Sequence, residues 1–594
     1  MIRVSPHQTM DKYEKIIGLA KRRGFLWNSF ELYGGTAGFY DYGPLGAMLK
    51  RRIEDIWRKM YVIEEGFYEI ETPTIGIAAI FDASGHTRGF SDPMVVCSKC
   101  DHSFRADHLI EGIVETPDAL PASEIKRLID ENGIKCPQCG GSGTFGGVSS
   151  FNLMFKTTIG PGAERVGYLR PETAQGMFVD FEHLFRFYRE KLPFGVTQIG
   201  KAYRNEISPR QGVIRLREFT QAEAEIFINP TEKNHPKFSM IEDMVLRYYP
   251  APHQRVSHPA HEDDGGIIEL NARDAVDRAI VAHEFLAYHL VLTHLFLVRV
   301  GIDPARLRFR QHQPDEMAHY AVDCWDAEVL TDRFGWVEIV GIADRTDYDL
   351  SSHAEHSKKD LSVLIEYDTP KQVERIAVKP DMSVIGPLYK GKAGKVLAAL
   401  IGLGEEDLRG DEIKIEIDGE MITIPRDLVE YETVIEEVRG ERVIPHVIEP
   451  SFGIDRIIYA ALEHSFSEEL VAGVTRNVLH LPAEVAPVQV AVLPLLTREE
   501  LIAPALAIVG TLRENGVFVS YDDSGTIGRR YRRNDEIGTP FSVTIDYETL
   551  DDDTVTIRDR DSMAQIRMPI GELAETLRAM IRHGFSAAAT QSSQ

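Results

Sequence analysis

Tyr203-Arg204-Asn205-Glu206-Ile207-Ser208-Pro209-Arg210, then Arg215-Leu216-Arg217-Glu218-Phe219-Thr220-Gln221-Ala222-Glu223-Ala224-Glu225, is the stretch that decides how this chain is read. From Val166 to Phe227, short β-like runs alternate with turns bearing Arg and Glu. That pattern predicts antiparallel strands around a polar cleft. Three further segments mix Arg and Glu where core packing would forbid them. They are Leu169-Arg170-Pro171-Glu172-Thr173-Ala174-Gln175-Gly176, Glu338 to Asp349 (EIVGIADRTDYD), and Val447 to Arg456 (VIEPSFGIDR). Each alone reads as a solvated charged edge. Four together read as one site.

Outward from this core, residues 11 to 60 are expected to be helical, with a Gly-rich shaped loop at Gly34 to Gly46. Tyr68 to Ile75 is strand-like until Pro73 removes a ladder donor. Residues 231 to about 310 change character and read as an insertion, containing the apolar run Phe285 to Ile302. His289, Thr293, His294 and Arg299 interrupt that run, so it predicts a buried helix and no membrane span. A second insertion runs from about 376 to 440, where DEIKIEIDGEMITIP alternates with period two around a turn at Asp418-Gly419. The last hundred residues read as a separate α/β domain. It has strands at Val488–Leu493, Val517–Tyr521 and Phe541–Ile545, and a helix burying Leu501, Ala505, Ile508 and Leu512 that Pro504 could kink or delay. Leu573, Leu577 and Ile581 mark a closing helix, and the final ten residues read as a frayed tail.

At 594 residues the chain has room for three to five domains. Its formal net charge of −26 argues against nonspecific coating of nucleic acid, which needs clustered Lys and Arg, but permits one local basic surface. The densest basic cluster is Arg529, Arg530, Arg532 and Arg533, which either faces RNA or pairs with Asp522, Asp523, Asp535 and Glu536. Met1 to Lys15 lacks the apolar segment of a signal peptide, and a cytoplasmic, soluble protein is expected.

Cys97-Ser98-Lys99-Cys100 and Cys136-Pro137-Gln138-Cys139 are two C-x-x-C pairs, a thiolate set for one structural zinc; two redox pairs or a site that has lost its metal are the other readings. Cys324 reads as a buried small hydrophobe. Gly386 to Ala393 (GPLYKGKA) nearly matches a phosphate-binding loop, but Ala393 lacks the Mg²⁺-binding hydroxyl, and Pro387 and Tyr389 suit a surface turn. His353 and His356 read as solvated loop residues.

Arg-x-Glu, a turn, then Arg-x-Arg-Glu-Phe resembles motif 2 of the class II aminoacyl-tRNA synthetases. Gly453 to Arg456 entering a helix resembles motif 3, and the break at Pro73 resembles motif 1. Neither class I signature, HIGH or KMSKS, appears. The wording RPETAQG, YRNEISPR, REFTQAE, RTDYDL and EPSFGIDR is similar to the glycyl-tRNA synthetases of the homodimeric type. DDSGTIGRRYRRNDEIGTPF and VTIRDRDSM are similar to that family's anticodon-binding domain. The resemblance spans nearly the whole chain. It implies an α+β fold: an antiparallel-sheet catalytic domain with inserted modules, plus a C-terminal α/β domain.

The resemblance also implies the chemistry, which is glycine activation by ATP with Mg²⁺, release of pyrophosphate, and transfer to the 3′ end of tRNA(Gly) by a homodimer. Arg204, Glu206, Arg215 and Arg456 carry catalysis, with Arg204 on the α-phosphate, Arg215 on the terminal phosphates, and Phe219 and Arg456 sandwiching adenine. Asn205, Ile214, Leu216, Arg217, Glu218, Glu338, Ile339, Gly453, Ile454 and Asp455 complete the ATP set, and Glu338 is the Mg²⁺ ligand. Glu172, Glu223 and Glu449 take the glycine ammonium group with Ser451 helping, and Arg345 or Arg105 faces its carboxylate. Phe219, Thr220, Gln221, Ala222, Pro450, Phe452 and Gly453 line the same pocket. The expected division is 1–96 (catalytic, motif 1), 97–150 (zinc-ribbon-like insertion), 151–230 (catalytic, motif 2), 231–310 (insertion) and 311–375 (catalytic). It continues with 376–440 (insertion), 441–484 (catalytic, motif 3), 485–585 (anticodon-binding) and 586–594 (flexible tail). The rival of another class is a non-catalytic RNA-binding or regulatory relative. It would require losses among Arg204, Glu206, Phe219 and Arg456, all of which are present.

Overall fold

The computed structural model describes residues 11–110, 113–114, 120–161, 165–209, 212–254, 265–314, 316, 321–403, 406–408, 412–417, 419–471 and 473–585. Arg210, Asp418 and the expected tail 586–594 lie outside the described residues. Two compact units emerge, 362–444 and the remainder of the chain.

The larger unit is organised by a nine-stranded sheet. Its central strands run in the order Asp323–Thr331, Gly335–Thr346, His446–Gly453, Glu218–Ile228 and Phe194–Tyr203, all antiparallel. Period-two alternation separates the two faces of this sheet. Ala222 pairs with Phe452, which pairs with Val340, and all three face a core built with the helices Pro44–Arg58, Glu284–Arg299 and Ile454–Ser465. One residue along, Gln198, Glu223, Ser451, Gly341 and Asp326 form a row across the opposite face. The polar cleft is therefore the back of the core.

Several expectations change. Residues 231–310 are no insertion. Val245–Tyr249, Ile268–Asn271 and Leu307–Gln311 extend the main sheet, and Glu284–Arg299 is its central buried helix. The alternation of polar loops and apolar segments hid strands that pair with each other across long sequence separations. The helical reading of 11–60 breaks earlier than Gly34. A hairpin of Leu26–Asn28 with Tyr40–Tyr42 follows the helix Lys12–Arg23, and the next helix already starts at Pro44, where a missing N–H is harmless. Tyr68–Glu69 is only a two-residue parallel edge strand, and extended chain resumes as Ile75–Ile77 beyond Pro73.

The C-terminal α/β sheet contains Val490–Pro494, Val519–Tyr521 and Phe541–Ile545 as expected, plus Thr554–Asp559 and Gln565–Pro569. Helix Glu499–Glu514 buries Leu501, Ala505, Ile508 and Leu512; it starts five residues before Pro504, so the proline delays nothing. The closing helix is Leu573–His583, burying Leu573 and Leu577. The smaller unit, 362–444, carries its own core of Ile385, Val396, Leu400, Ile413, Ile415 and Ile424, and Glu412–Ile417 alternates exposed and buried as expected. Gly386 and Pro387 lie inside its helix Met382–Tyr389 and not in a turn, so the near-match to a phosphate loop has no loop.

Candidate active site

Strand Glu218–Ile228, strand Gly335–Thr346 and the start of helix Ile454–Ser465 enclose a cavity on the polar face. From the first strand and the segment before it come Ile214, Arg215, Leu216, Phe219, Thr220 and Gln221; from the second, Glu338, Ile339 and Gly341. Ser451, Gly453, Asp455 and Arg456 close one side, and Arg204 and Glu206 another. Arg456 donates to the Ile214 carbonyl at 3.0 Å, and to the carbonyl and Oε2 of Glu338 at 2.8 and 3.1 Å. Burial raises the Glu338 carboxyl, but Arg456 outweighs it and the net shift is downward, keeping an anion in place. Asp455 accepts from the Thr220 N–H at 2.5 Å and from Tyr42, which fixes the helix start to the strand. Arg204 lies between the Phe90 and Phe219 rings, 5.3 and 5.4 Å from their centroids, and donates Nε to the Pro171 carbonyl at 3.3 Å. Arg215 reaches Glu206 at 3.8 Å and His108 of the Cys-rich module at 3.4 Å.

A cluster of carboxylates adjoins this cavity through Ser451, which donates to Glu223 Oε1 at 2.6 Å. Glu223 is pinned further by the Thr173 N–H at 2.8 Å and the Thr173 hydroxyl. Glu172 accepts from Gln175 at 2.8 Å and lies 3.6 Å from His86. Burial opposes its ionisation, but His86, Arg345 and Gln175 overcome that and hold it well below the usual carboxylate range. Arg345 is committed to Asp349 at 2.7 and 2.9 Å and to Glu449 at 2.9 Å, so it organises carboxylates. Burial pushes the Glu449 carboxyl up despite Arg345.

Several expected site residues lie elsewhere. Ala222, Phe452 and Ile454 are core residues on the opposite face, and Pro450 is buried in the strand between them. Arg217 binds the carbonyls of Glu206 and Ala37, Glu218 pairs with Lys201 at 3.3 Å, and the Asn205 N–H bonds to the Leu153 carbonyl; all three brace the motif. Arg105 pairs with Asp107 and Asp92 beside Arg215, apart from the Glu172–Glu223–Glu449 group. His353 is no solvated loop residue. It is buried on helix Tyr348–Ser357, 2.9 Å from the Gln175 side chain.

Sequence reasoning missed Thr173, Gln175, Asp349, Glu225 and Asp326. The last two were signalled by period two, in Glu223/Glu225 and Cys324/Asp326. A Cβ on Gly341 would lie 3.9 Å from Asp326 Oδ1 and 4.0 Å from Glu338 Oε1, so both carboxylates face one small space. Cys324 is half-buried with His312 and Asp326, their ligand atoms within 4.8 Å of one another, and does not pack as a simple hydrophobe.

In the Cys-rich module, Cys97 Sγ is 3.8 Å from Cys139 Sγ, and Cys100 Sγ is 3.7 Å from Cys136 Sγ. Both pairs sit on knuckles of one design. Asp101 N bonds Cys97 O as Gly140 N bonds Cys136 O, and Asp101 and Gly140 both have positive φ. A tetrahedron with ~2.3 Å metal–sulfur arms has edges of about 3.8 Å, the length of both contacts, and all four sulfurs lie within 4.8 Å of one another, a set that could hold a metal ion. These distances are too long for disulfides.

Comparison with known proteins finds two matching family models. A family model described as the tRNA synthetase class II core domain (G, H, P, S and T) matches residues 157–288, and an anticodon binding domain model matches 489–580. A glycine–tRNA ligase of Methanothrix thermoacetophila is 59% identical over 96% of this chain and 97% of its own length. One of Methanothermobacter thermautotrophicus is 52% identical over 95% and 98%. A crystal structure of a threonyl-tRNA synthetase RNA-binding domain from Cryptosporidium parvum covers 95% of this chain and 98% of its own, with TM-score 0.52 at 17% identity, a likeness of fold alone.

Proposed function

We propose how this chain, which belongs to the glycine–tRNA ligase family of class II aminoacyl-tRNA synthetases, uses its own residues to attach glycine to tRNA at the expense of ATP. The observation that carries the reading is the junction at Ser451: it lines the cavity holding Arg204, Phe219 and Arg456, and donates to Glu223 of the carboxylate cluster. ATP occupies the cavity and glycine meets the cluster, with the glycine carboxylate directed at the α-phosphorus. That carboxylate is already ionised at neutral pH, so its attack needs no general base. Arg204, oriented by Pro171 and two aromatic rings, stabilises charge growing on the phosphorus as pyrophosphate leaves. Adenine stacks between Phe219 and Arg456. Glu206 accepts from its amino group, and Arg215 meets the terminal phosphates. Mg²⁺, when bound, neutralises those phosphates; Glu338, with Asp326 beside Gly341, is the carboxylate set that fits it. The tRNA 3′-terminal hydroxyl then attacks the glycyl-adenylate carbonyl, and AMP leaves.

Glycine has no side chain to recognise, so selection works by exclusion. Glu223, held by Thr173 and Ser451, cannot yield to a Cβ without losing buried hydrogen bonds. Arg345 acts through Glu449 and Asp349 and not on the substrate carboxylate.

The four cysteines hold one structural Zn²⁺, and tRNA(Gly) docks its anticodon on the C-terminal domain. Arg530 is buried against the carbonyls of Pro494, Asp523 and Gly525, and Arg533 ties down Asp522 and Ser524; Arg529 and Arg532 are exposed and form the candidate RNA contact. Exposed Ile63, Tyr68, Ile75 and Ile77 around the edge strand support a homodimer through motif 1. Among the described residues no helix is long and apolar enough to cross a membrane, and the reaction belongs to the cytoplasm. Pyrophosphate exchange measured with each of the twenty amino acids tests the whole reading: glycine alone should support it, and equal exchange with alanine would overturn the exclusion argument.

A further inference from the structure

Glu225 is 0% exposed, yet among the described residues neither of its carboxylate oxygens has a hydrogen-bond partner. An ionised carboxylate cannot be kept in that state at tolerable cost; it must be paired or neutral. The ladder register settles what faces it. Glu223 pairs with Ser451 and Ile226 with Ile448, which sets Glu225 directly opposite Glu449. On its other side stands apolar Val196. The ligand oxygens of Glu223, Glu225 and Glu449 lie within 4.8 Å of one another. Like charges directly opposed on neighbouring strands repel, more so away from water.

The cation bonded to Glu449 also holds a second carboxylate. Arg345 donates to Glu449 Oε2 and doubly to Asp349. Glu223 has three donors of its own, from Thr173 and Ser451. Glu225 has none. Burial, then Glu449, Glu223 and Asp349, push its carboxyl well above the ordinary range, with only Arg345 opposing. Burial raises Glu449 as well, but Glu449 holds the Arg345 guanidinium and Glu225 does not, so the proton belongs on Glu225; a neutral carboxyl is a hydrogen-bond donor, and Glu449 opposite it is an acceptor.

We propose that Glu225 is a positioning residue of the glycine pocket that works in its protonated form, donating its proton to Glu449 and so orienting the carboxylate that meets the substrate ammonium group. Arg345 holds Glu449 at Oε2, and a proton from Glu225 would fix the same carboxylate at a second point. The neutral acid also removes one negative charge from a pocket that would otherwise hold Glu172, Glu223, Glu225, Glu449 and Asp349 against Arg345. This inference rests on the carboxylate cluster being the glycine site, but the protonation state can be read without substrate.

Two measurements on the full-length enzyme test it. In infrared difference spectra of wild type against Glu225→Gln, a band from a buried protonated carboxyl, shifted in D₂O, should disappear in the variant. Steady-state kinetics should show Glu225→Ala raising KM for glycine about tenfold or more with KM for ATP unchanged, the scale of one lost hydrogen bond to a charged group. Glu225→Gln, a neutral donor of the same shape, should rescue most of that loss. If Glu225→Gln is as damaging as Glu225→Ala at unchanged Tm, Glu225 acts as an anion and the proposal fails. It fails equally if the infrared spectra show no protonated carboxyl at this position, whatever the kinetics of glycine.

Discussion

Replacing Arg204 by alanine should slow formation of glycyl-adenylate by about 10²–10³, the effect of removing one preorganised donor from a transition state, or about 2.7–4 kcal/mol. The structure bounds the number. Nε is spent on the Pro171 carbonyl at 3.3 Å, so only the terminal nitrogens can serve the α-phosphate. It also separates catalysis from folding. The side chain gives up one long hydrogen bond and two ring contacts, about 1–2 kcal/mol together, which a 594-residue protein survives. Arg204→Lys should retain a point charge without the fork, recovering about tenfold. Glycine-dependent pyrophosphate exchange at saturating ATP and glycine reads the step directly, with thermal melting as the control. Exchange within threefold of wild type in a folded Arg204→Ala protein would refute the assignment.

Purified protein should carry about one zinc per chain, and Cys136→Ser should lose it; four freely titratable thiols with no zinc would reject the site. Arg529→Glu with Arg532→Glu should weaken tRNA charging and flatten its salt dependence while exchange stays intact, because these two side chains are exposed where Arg530 and Arg533 are structural; a matching fall in exchange and Tm would count against it. Asp344 is buried between His283 at 3.0 Å and Lys233, and although burial opposes ionisation these partners hold its carboxyl below the ordinary range. Its contribution is thus complete above about pH 4 and lost as pH falls through the lower folded value. Asp344→Asn should cost about 2–4 kcal/mol at pH 7, since Lys233 is partly exposed, and flatten acid unfolding below pH 4; an unchanged acid limb in denaturant titrations would disprove it.

The family, and the residues that line the proposed ATP cavity, were legible because short motifs keep these side chains close in sequence. Arg204 to Phe219 is one hairpin, and Gly453 to Arg456 is one strand-to-helix step. What escaped was whatever depends on cross-strand register. Glu225 meets Glu449 only because Glu223 pairs with Ser451, and no local pattern announces that. Residues 231–310 looked foreign for the same reason: the strand Val245–Tyr249 finds its neighbour at Leu307–Gln311. Ala222, Phe452 and Ile454 were placed in the site through their neighbours, whereas strand alternation turns them into the core. The arginine cluster divided by burial, which composition cannot show.

The C-terminal domain is fastened to the catalytic body by ion pairs, one of them buried. Arg476, from the strand Val474–Leu479, bonds Asp535 at 2.8 Å, Arg558 bonds the same carboxylate at 3.0 Å, and Glu536 takes Arg22 and Arg23 of the first helix. Opening such a joint would part buried Asp535 and Arg476, a charge pair costly to break, so it resists swinging. With the proposed RNA surface beside Arg532 and the proposed cavity beside Arg204 as two jaws, the expected behaviour is that of a caliper: an RNA would be judged partly by its length from loop to 3′ end.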